Sequence, residues 1–264
     1  TAWNNISDGS REVRGLLKLF KCECMKLRRS KFLLIGLLGT LIVPLFVYVK
    51  AVTNYLSDPT RTISVFSLYD DALMFLMLLF APIVSTILGA WIISREYTDG
   101  TLKNIFVIPV SRTAFLCGKL LFFEMLSLLF MLLSWLEIMV LALLCNCFVP
   151  VAQITIPSFL FFFVKMFLGG VFLCATQTPF IYLTIRTKEF VAPLIGVAAV
   201  SLINVVLSNS GIAGFYPWSA SYLLVMGRLS RQGCPREISL AVIFVMSLLG
   251  IAASLRRFQR EEVR

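Results

Sequence analysis

The chain has 264 residues, 59% of them hydrophobic and only 14% charged, with a net charge of +10. A water-soluble domain carries about 25% charged residues, so this composition excludes an ordinary soluble fold and points to a polytopic membrane protein. The absence of histidine removes histidine general-base chemistry, most zinc sites and the HExxH protease motif, and the basic excess lies beside the apolar runs, where it sets orientation rather than binding nucleic acid.

Residues 1–10 are polar and are expected to be disordered; no signal-peptide pattern follows them. Residues 11–31 read as a basic amphipathic helix. At 100° per residue Val13, Leu16, Leu17, Phe20, Cys24 and Leu27 share one sector, with Arg14, Lys18, Lys21, Arg28 and Arg29 opposite. That pattern predicts a helix lying in the membrane interface, basic face toward anionic headgroups. The competing reading is a helical cap over the bundle.

Six apolar runs follow: Phe32–Val49, Ala72–Ile93, Leu120–Leu144, Phe159–Leu183, Phe190–Leu207 and Ile238–Leu255. As helices they rise about 27 to 37 Å, enough to cross the hydrocarbon core. The chain is thus expected to be an all-α integral membrane protein with one six-span domain over residues 32–255 and a short tail at 256–264. Pro44, Pro82 and Pro179 fall inside runs; each should kink its helix and leave a carbonyl for a neighbour to satisfy. Eighteen Lys and Arg lie on one side of the spans, five on the other and one, Lys165, within a span. This asymmetry predicts cytoplasmic N and C termini.

Between the fifth and sixth runs, residues 211–226 are apolar and aromatic but too short to cross. A short re-entrant or interfacial segment is expected there, with Tyr216, Trp218 and Tyr222 in the aromatic belt. The seven cysteines form an odd set without metal-ligand spacing. Cys22 and Cys24 fall on the cytosolic side, Cys145, Cys147 and Cys234 near the other, and free thiols packed as small hydrophobes are expected. No internal repeat is evident.

The stretch from Ser94 to Arg112 carries the most mechanism. Asp99 and Gly100 signal a turn; Leu102, Ile105 and Phe106 stand at i, i+3 and i+4; Pro109 ends the pattern and Ser111 can cap the next helix. A short amphipathic helix joined to two spans could pass a partner's motion into the bilayer. The residues alone fit a plain surface loop equally well.

Arg95-Glu96-Tyr97, Gly100-Thr101-Leu102-Lys103-Asn104, Pro109-Val110-Ser111-Arg112 and Lys119-Leu120 together resemble the signature of type-2 ABC exporter permeases. The likeness is strongest to the bacterial lantibiotic-immunity and antimicrobial-peptide permeases, including the bacitracin type. It implies that the N-terminal helix is the interfacial elbow helix, with Leu16, Leu17, Phe20, Arg28 and Arg29 in it. It implies that residues 101–107 form a cytoplasmic coupling helix docking on a separate ABC ATPase (nucleotide-binding) subunit. The ATPase-coupling set is then Arg95, Glu96, Gly100, Thr101, Leu102, Lys103, Ile105 and Phe106. It further implies a dimer with a second copy or a sister permease, ATP and Mg held by the partner ATPase, a multi-pass location in the bacterial plasma membrane, and an amphipathic peptide or lipid-like substrate. The chain itself has no phosphate-binding loop, since Gly118-Lys119 is followed by Leu120. No catalytic, cofactor or metal site is expected in it. The alternatives are an ATP-independent secondary transporter and a sensory or regulatory protein on an exporter scaffold.

Charges inside a bilayer cost about 2.5 to 3.5 kcal/mol each and suggest pairing or function. Glu124, Glu137 and Lys165 stand within the apolar runs. Glu124 is near enough to the cytosol to snorkel. Glu137 and Lys165 lie at matching depth, which predicts an intramembrane charge pair; the alternative is a Lys165 that snorkels alone.

Overall fold

A computed structural model of the chain describes residues 20–28, 30, 32–58, 60, 62–98, 100 and 112–260. The described residues are mostly helical, with one minimal strand pair among them. Residues 20–28 form α1. Then follow α2 (Phe32–Ser57), α3 (Val65–Phe75), a π-helical turn (Leu76–Phe80), α4 (Ala81–Thr98), α5 (Arg112–Cys145), α6 (Ile156–Thr187), α7 (Val191–Leu207), α8 (Pro217–Met226) and α9 (Arg236–Gln259). Among the described residues five helical stretches are long and apolar enough to cross a membrane: Leu34–Ser57, Val65–Thr98, Arg112–Cys145, Ile156–Thr187 and Arg236–Gln259. The fifth apolar run of the sequence becomes α7, a shorter helix of 17 residues.

The helices outrun the apolar runs. α5 has 34 residues and rises about 51 Å, well beyond the roughly 30 Å hydrocarbon core. Backbone hydrogen bonding does not stop where the side chains turn polar, so the helix continues into the interface. α6 is the hub of the bundle and packs against α4, α5, α7, α8 and α9. Close approach is built from small residues. A Cβ added at Gly250 of α9 would collide with Thr178 of α6, its backbone included, and one at Gly36 of α2 would meet the ring of Phe130 of α5.

Two main cores fill the bundle. One, near the α2–α3 turn, gathers Val47, Leu68, Tyr69, Phe162, Met166 and Tyr222, with the rings of Tyr69 and Phe162 stacked at 4.6 Å. The other, at the α1 end, gathers Leu27, Ile92, Phe115, Phe122, Ile185 and Phe258. At the first end Ile63 and Ser64 pair in parallel with Val151 and Ala152, tying the loop before α3 to the loop before α6.

Each of the three prolines noted in the apolar runs has its orphan carbonyl covered by a side chain. In an α-helical pattern Pro44 would have donated to Thr40, Pro82 to Leu78 and Pro179 to Ala175. Ser134 of α5 donates to the Thr40 carbonyl at 3.3 Å, Asn204 of α7 to that of Leu78 at 3.0 Å, and Thr178 to that of Ala175 at 3.1 Å. Next to Pro82 the helix loosens into the π turn, a common response to an interrupted ladder.

The segment after α7 departs from the expected aromatic belt. α8 lies inside the bundle, packed on α6, α7, α9 and the π turn, and Trp218 and Tyr222 are buried. Trp218 contacts the rings of Phe180 and Tyr216. The helix carries apolar or small side chains all round, so no polar face holds it at the surface. Tyr216 is half-buried, its hydroxyl donating to Val200. All seven cysteines are free thiols.

Candidate functional site

The site is assembled where α1, α4 and α5 meet. Glu96 lies near the end of α4 and is 2% exposed; Lys119, in the third turn of α5, is 4% exposed. Neither charge could be buried alone without a cost of several kcal/mol. The Lys119 ammonium binds the Glu96 carboxylate at 3.0 Å and the Glu23 carboxylate of α1 at 3.1 Å, and donates to the Ile92 carbonyl at 3.0 Å. Lys26 of α1 closes the cluster, 2.7 Å from Glu96 and 3.5 Å from Glu23. Two carboxylates and two ammoniums thus neutralise one another. Burial works to lower the Lys26 pKa, but its hydrogen bond to Glu96 and the charges of Glu23 and Glu96 more than offset this, so the group is held above the ordinary lysine value.

The permease resemblance implies that Arg95 and Glu96 sit together at a partner contact; in the structure their side chains face different ways. Glu96 points inward and binds Lys26 and Lys119. The helical step of 100° explains this: adjacent residues face different ways. Arg95 is half-buried, its guanidinium over the Trp91 ring at 5.2 Å. Gly100 ends α4 with a left-handed φ of +64°, its N–H bonding back to Tyr97 at 3.4 Å, a helix stop that glycine adopts without strain. Thr101, Leu102, Lys103, Ile105 and Phe106 lie outside the described residues, as do Leu16, Leu17 and Arg29.

Of the remaining α1 residues, Phe20 sets its ring edge-on to Phe122 of α5 at 5.2 Å, and Leu27 is buried in the same core. Arg28 is exposed. Glu23 and Lys26 are not legible in the sequence as site residues, and Lys119 stands there only as the close of the permease signature. The i, i+3 spacing of Glu23 and Lys26 was the one available signal, and it reads the same on any solvated helix face.

The expected Glu137–Lys165 pair does not form. Glu137 accepts a hydrogen bond from Thr40 of α2 at 3.1 Å. Lys165 lies instead 4.0 Å from Asp70 of α3, over the rings of Phe161 and Phe162 at 4.6 and 5.4 Å. Depth along a helix follows from the rise of about 1.5 Å per residue, but the direction a side chain faces depends on helix rotation. Glu137 faces α2, and Lys165 faces α3. Asp70 also binds Arg228, just past α8, at 3.2 Å, and Arg228 donates to the Tyr222 hydroxyl at 3.3 Å. Nearby Lys50 binds Asp71 at 2.8 Å. Asp70 thus fastens α8 to α3 and α6, and Lys50 fastens α2 to α3, at the end of the bundle opposite α1.

Comparison with known proteins fits this architecture. The family model described as ABC-2 family transporter protein matches residues 19–208, from α1 to the end of α7. The bacitracin transport permease protein BCRB of Bacillus licheniformis is 25% identical over 195 residues, covering 74% of this chain and 91% of that protein. With these matches and several membrane-length apolar helices, the chain belongs to the ABC-2 transporter family, as a multi-pass permease of the bacterial plasma membrane.

Proposed function

We propose that the chain is the transmembrane permease subunit of an ATP-binding-cassette exporter that moves an amphipathic molecule outward, with antimicrobial peptides of the lantibiotic or bacitracin class as its substrates. In this reading α7 is the fifth of six spans, both termini are cytoplasmic, and α1 is the elbow helix. A separate ATPase subunit binds ATP and Mg and docks on residues 101–107. A second copy of the chain, or a sister permease, completes the pathway. The family match supports the transport role, and the name of the Bacillus relative supports the substrate class.

One observation carries the coupling mechanism. Glu96 stands just before the 99–111 segment and Lys119 just after it, and the two are joined at 3.0 Å together with α1. A push on the segment would therefore act on α4, α5 and α1 as one body. Rigid transmission of this kind needs discrete packed elements rather than a loose loop.

Co-expression with a candidate ABC ATPase subunit tests the reading. A stoichiometric complex with substrate-stimulated hydrolysis is expected. Phe106→Asp should abolish ATPase association while membrane insertion persists. Full transport by the purified chain alone, or undiminished stimulation in Phe106→Asp, would count decisively against it.

A further inference from the structure

We propose that the cleft between α1 and α5 binds one acyl chain of an anionic phospholipid, whose phosphate meets Arg28. The cleft encloses about 440 Å³ and is lined by Phe20, Leu27 and Arg28 of α1 and by Phe122, Leu129 and Leu132 of α5, among others. Leu27 and Phe122 are buried and form its floor; Leu129 is 51% exposed and stands at its open side. From Phe122 to Leu132 the helix rises about 15 Å, half of the roughly 30 Å hydrocarbon thickness. The cleft thus has the depth of a single leaflet, and its walls are apolar along that depth.

Charge selects the headgroup. Lys26 and Lys119 are neutralised within the buried cluster by Glu23 and Glu96. Arg28 is exposed at the α1 end of the cleft, and among the described residues no acidic side chain pairs with it. A guanidinium binds phosphate in a bidentate geometry, and a basic residue at the headgroup level adds affinity for anionic lipid. The occupant is a resident lipid, because the cleft opens sideways on the perimeter of the bundle and an acyl chain from the surrounding leaflet enters it without crossing the protein. Bound there, the lipid bridges α1 to α5 beside the ion cluster. The inference depends on the membrane location and not on the transport reaction.

The test uses the purified full chain, exchanged into mixed micelles with dioleoyl phosphatidylglycerol or dioleoyl phosphatidylcholine and read by native mass spectrometry. The wild type should retain phosphatidylglycerol in preference to phosphatidylcholine. Arg28→Ala should reduce that preference about fivefold, and Arg28→Lys should restore most of it. Leu129→Trp, which fills the cleft, should reduce retention of both lipids; if that variant fails to insert, Leu132→Phe makes the same test. Equal retention of the two lipids by the wild type, an Arg28→Ala variant that keeps its preference, or a filled cleft that retains lipid undiminished would each overturn the proposal.

Discussion

Asn204 of α7 donates its side-chain N–H to the backbone carbonyl of Leu78 at 3.0 Å, inside the bundle. That carbonyl is the one whose α-helical donor Pro82 cannot supply. A shorter helix is thereby tied to the π turn of the 34-residue stretch Val65–Thr98, at the place where that stretch is weakest. Asn204 is fully buried, so the bond is not in competition with solvent.

Asn204→Leu should therefore destabilise the protein in detergent by about 1 to 3 kcal/mol, the cost of leaving a buried acceptor unpaired. The cost should fall in the Pro82→Ala background, because alanine restores the N–H. Thermal unfolding of the four proteins in a double-mutant cycle checks this. Strictly additive effects would show that the two residues act independently.

The Glu96–Lys119 pair sets a second expectation. Lys119→Met leaves Glu23 and Glu96 buried with Lys26 as the one ammonium of the cluster among the described residues, and breaking a buried pair in this way costs about 3 to 5 kcal/mol. The damage should be local to α1. In a background with the native cysteines replaced by serine or alanine, a Leu27→Cys thiol should label slowly while Lys119 is present and rapidly once Lys119→Met is added. Maleimide labelling kinetics on solubilised protein measure the difference.

The charges around α8 predict a different pattern. Asp70 and Arg228 are partly exposed, so Asp70→Arg alone should cost only about 1 kcal/mol while loosening the α8 end. Exchanging the two, Asp70→Arg with Arg228→Asp, should recover most of the loss. Exchanging Glu137 and Lys165 should recover nothing, since they face different helices. Thermal unfolding of the two swap sets separates these outcomes.

Gly250 tests the packing of α6 on α9. A side chain there meets Thr178 and its backbone, whereas Gly211 has no atom within 4 Å of an added Cβ. Gly250→Leu is expected to cost about 1 to 3 kcal/mol through overpacking. Gly211→Leu should leave the melting temperature close to that of the wild type.

The sequence by itself determined that this chain is helical and belongs in a bilayer. Lipid offers no hydrogen bonds, so an apolar run near 20 residues long must satisfy its own backbone, and the helix is the local way to do so. Each of the six apolar runs accordingly folds as helix, with Phe190 alone standing just ahead of its own. The three prolines marked where carbonyls would be orphaned, and the amphipathic pattern marked α1 as an element apart. Which partner answers each group was decided only by tertiary structure. Ser134, Asn204 and Thr178 cover the carbonyls, Asp70 takes Lys165, Thr40 takes Glu137, and Glu96 turns inward to Lys119. Depth in the membrane is a one-dimensional quantity that residue number encodes. The rotation of each helix about its axis is fixed by how neighbouring surfaces interlock, and that information is spread over residues far apart in the chain.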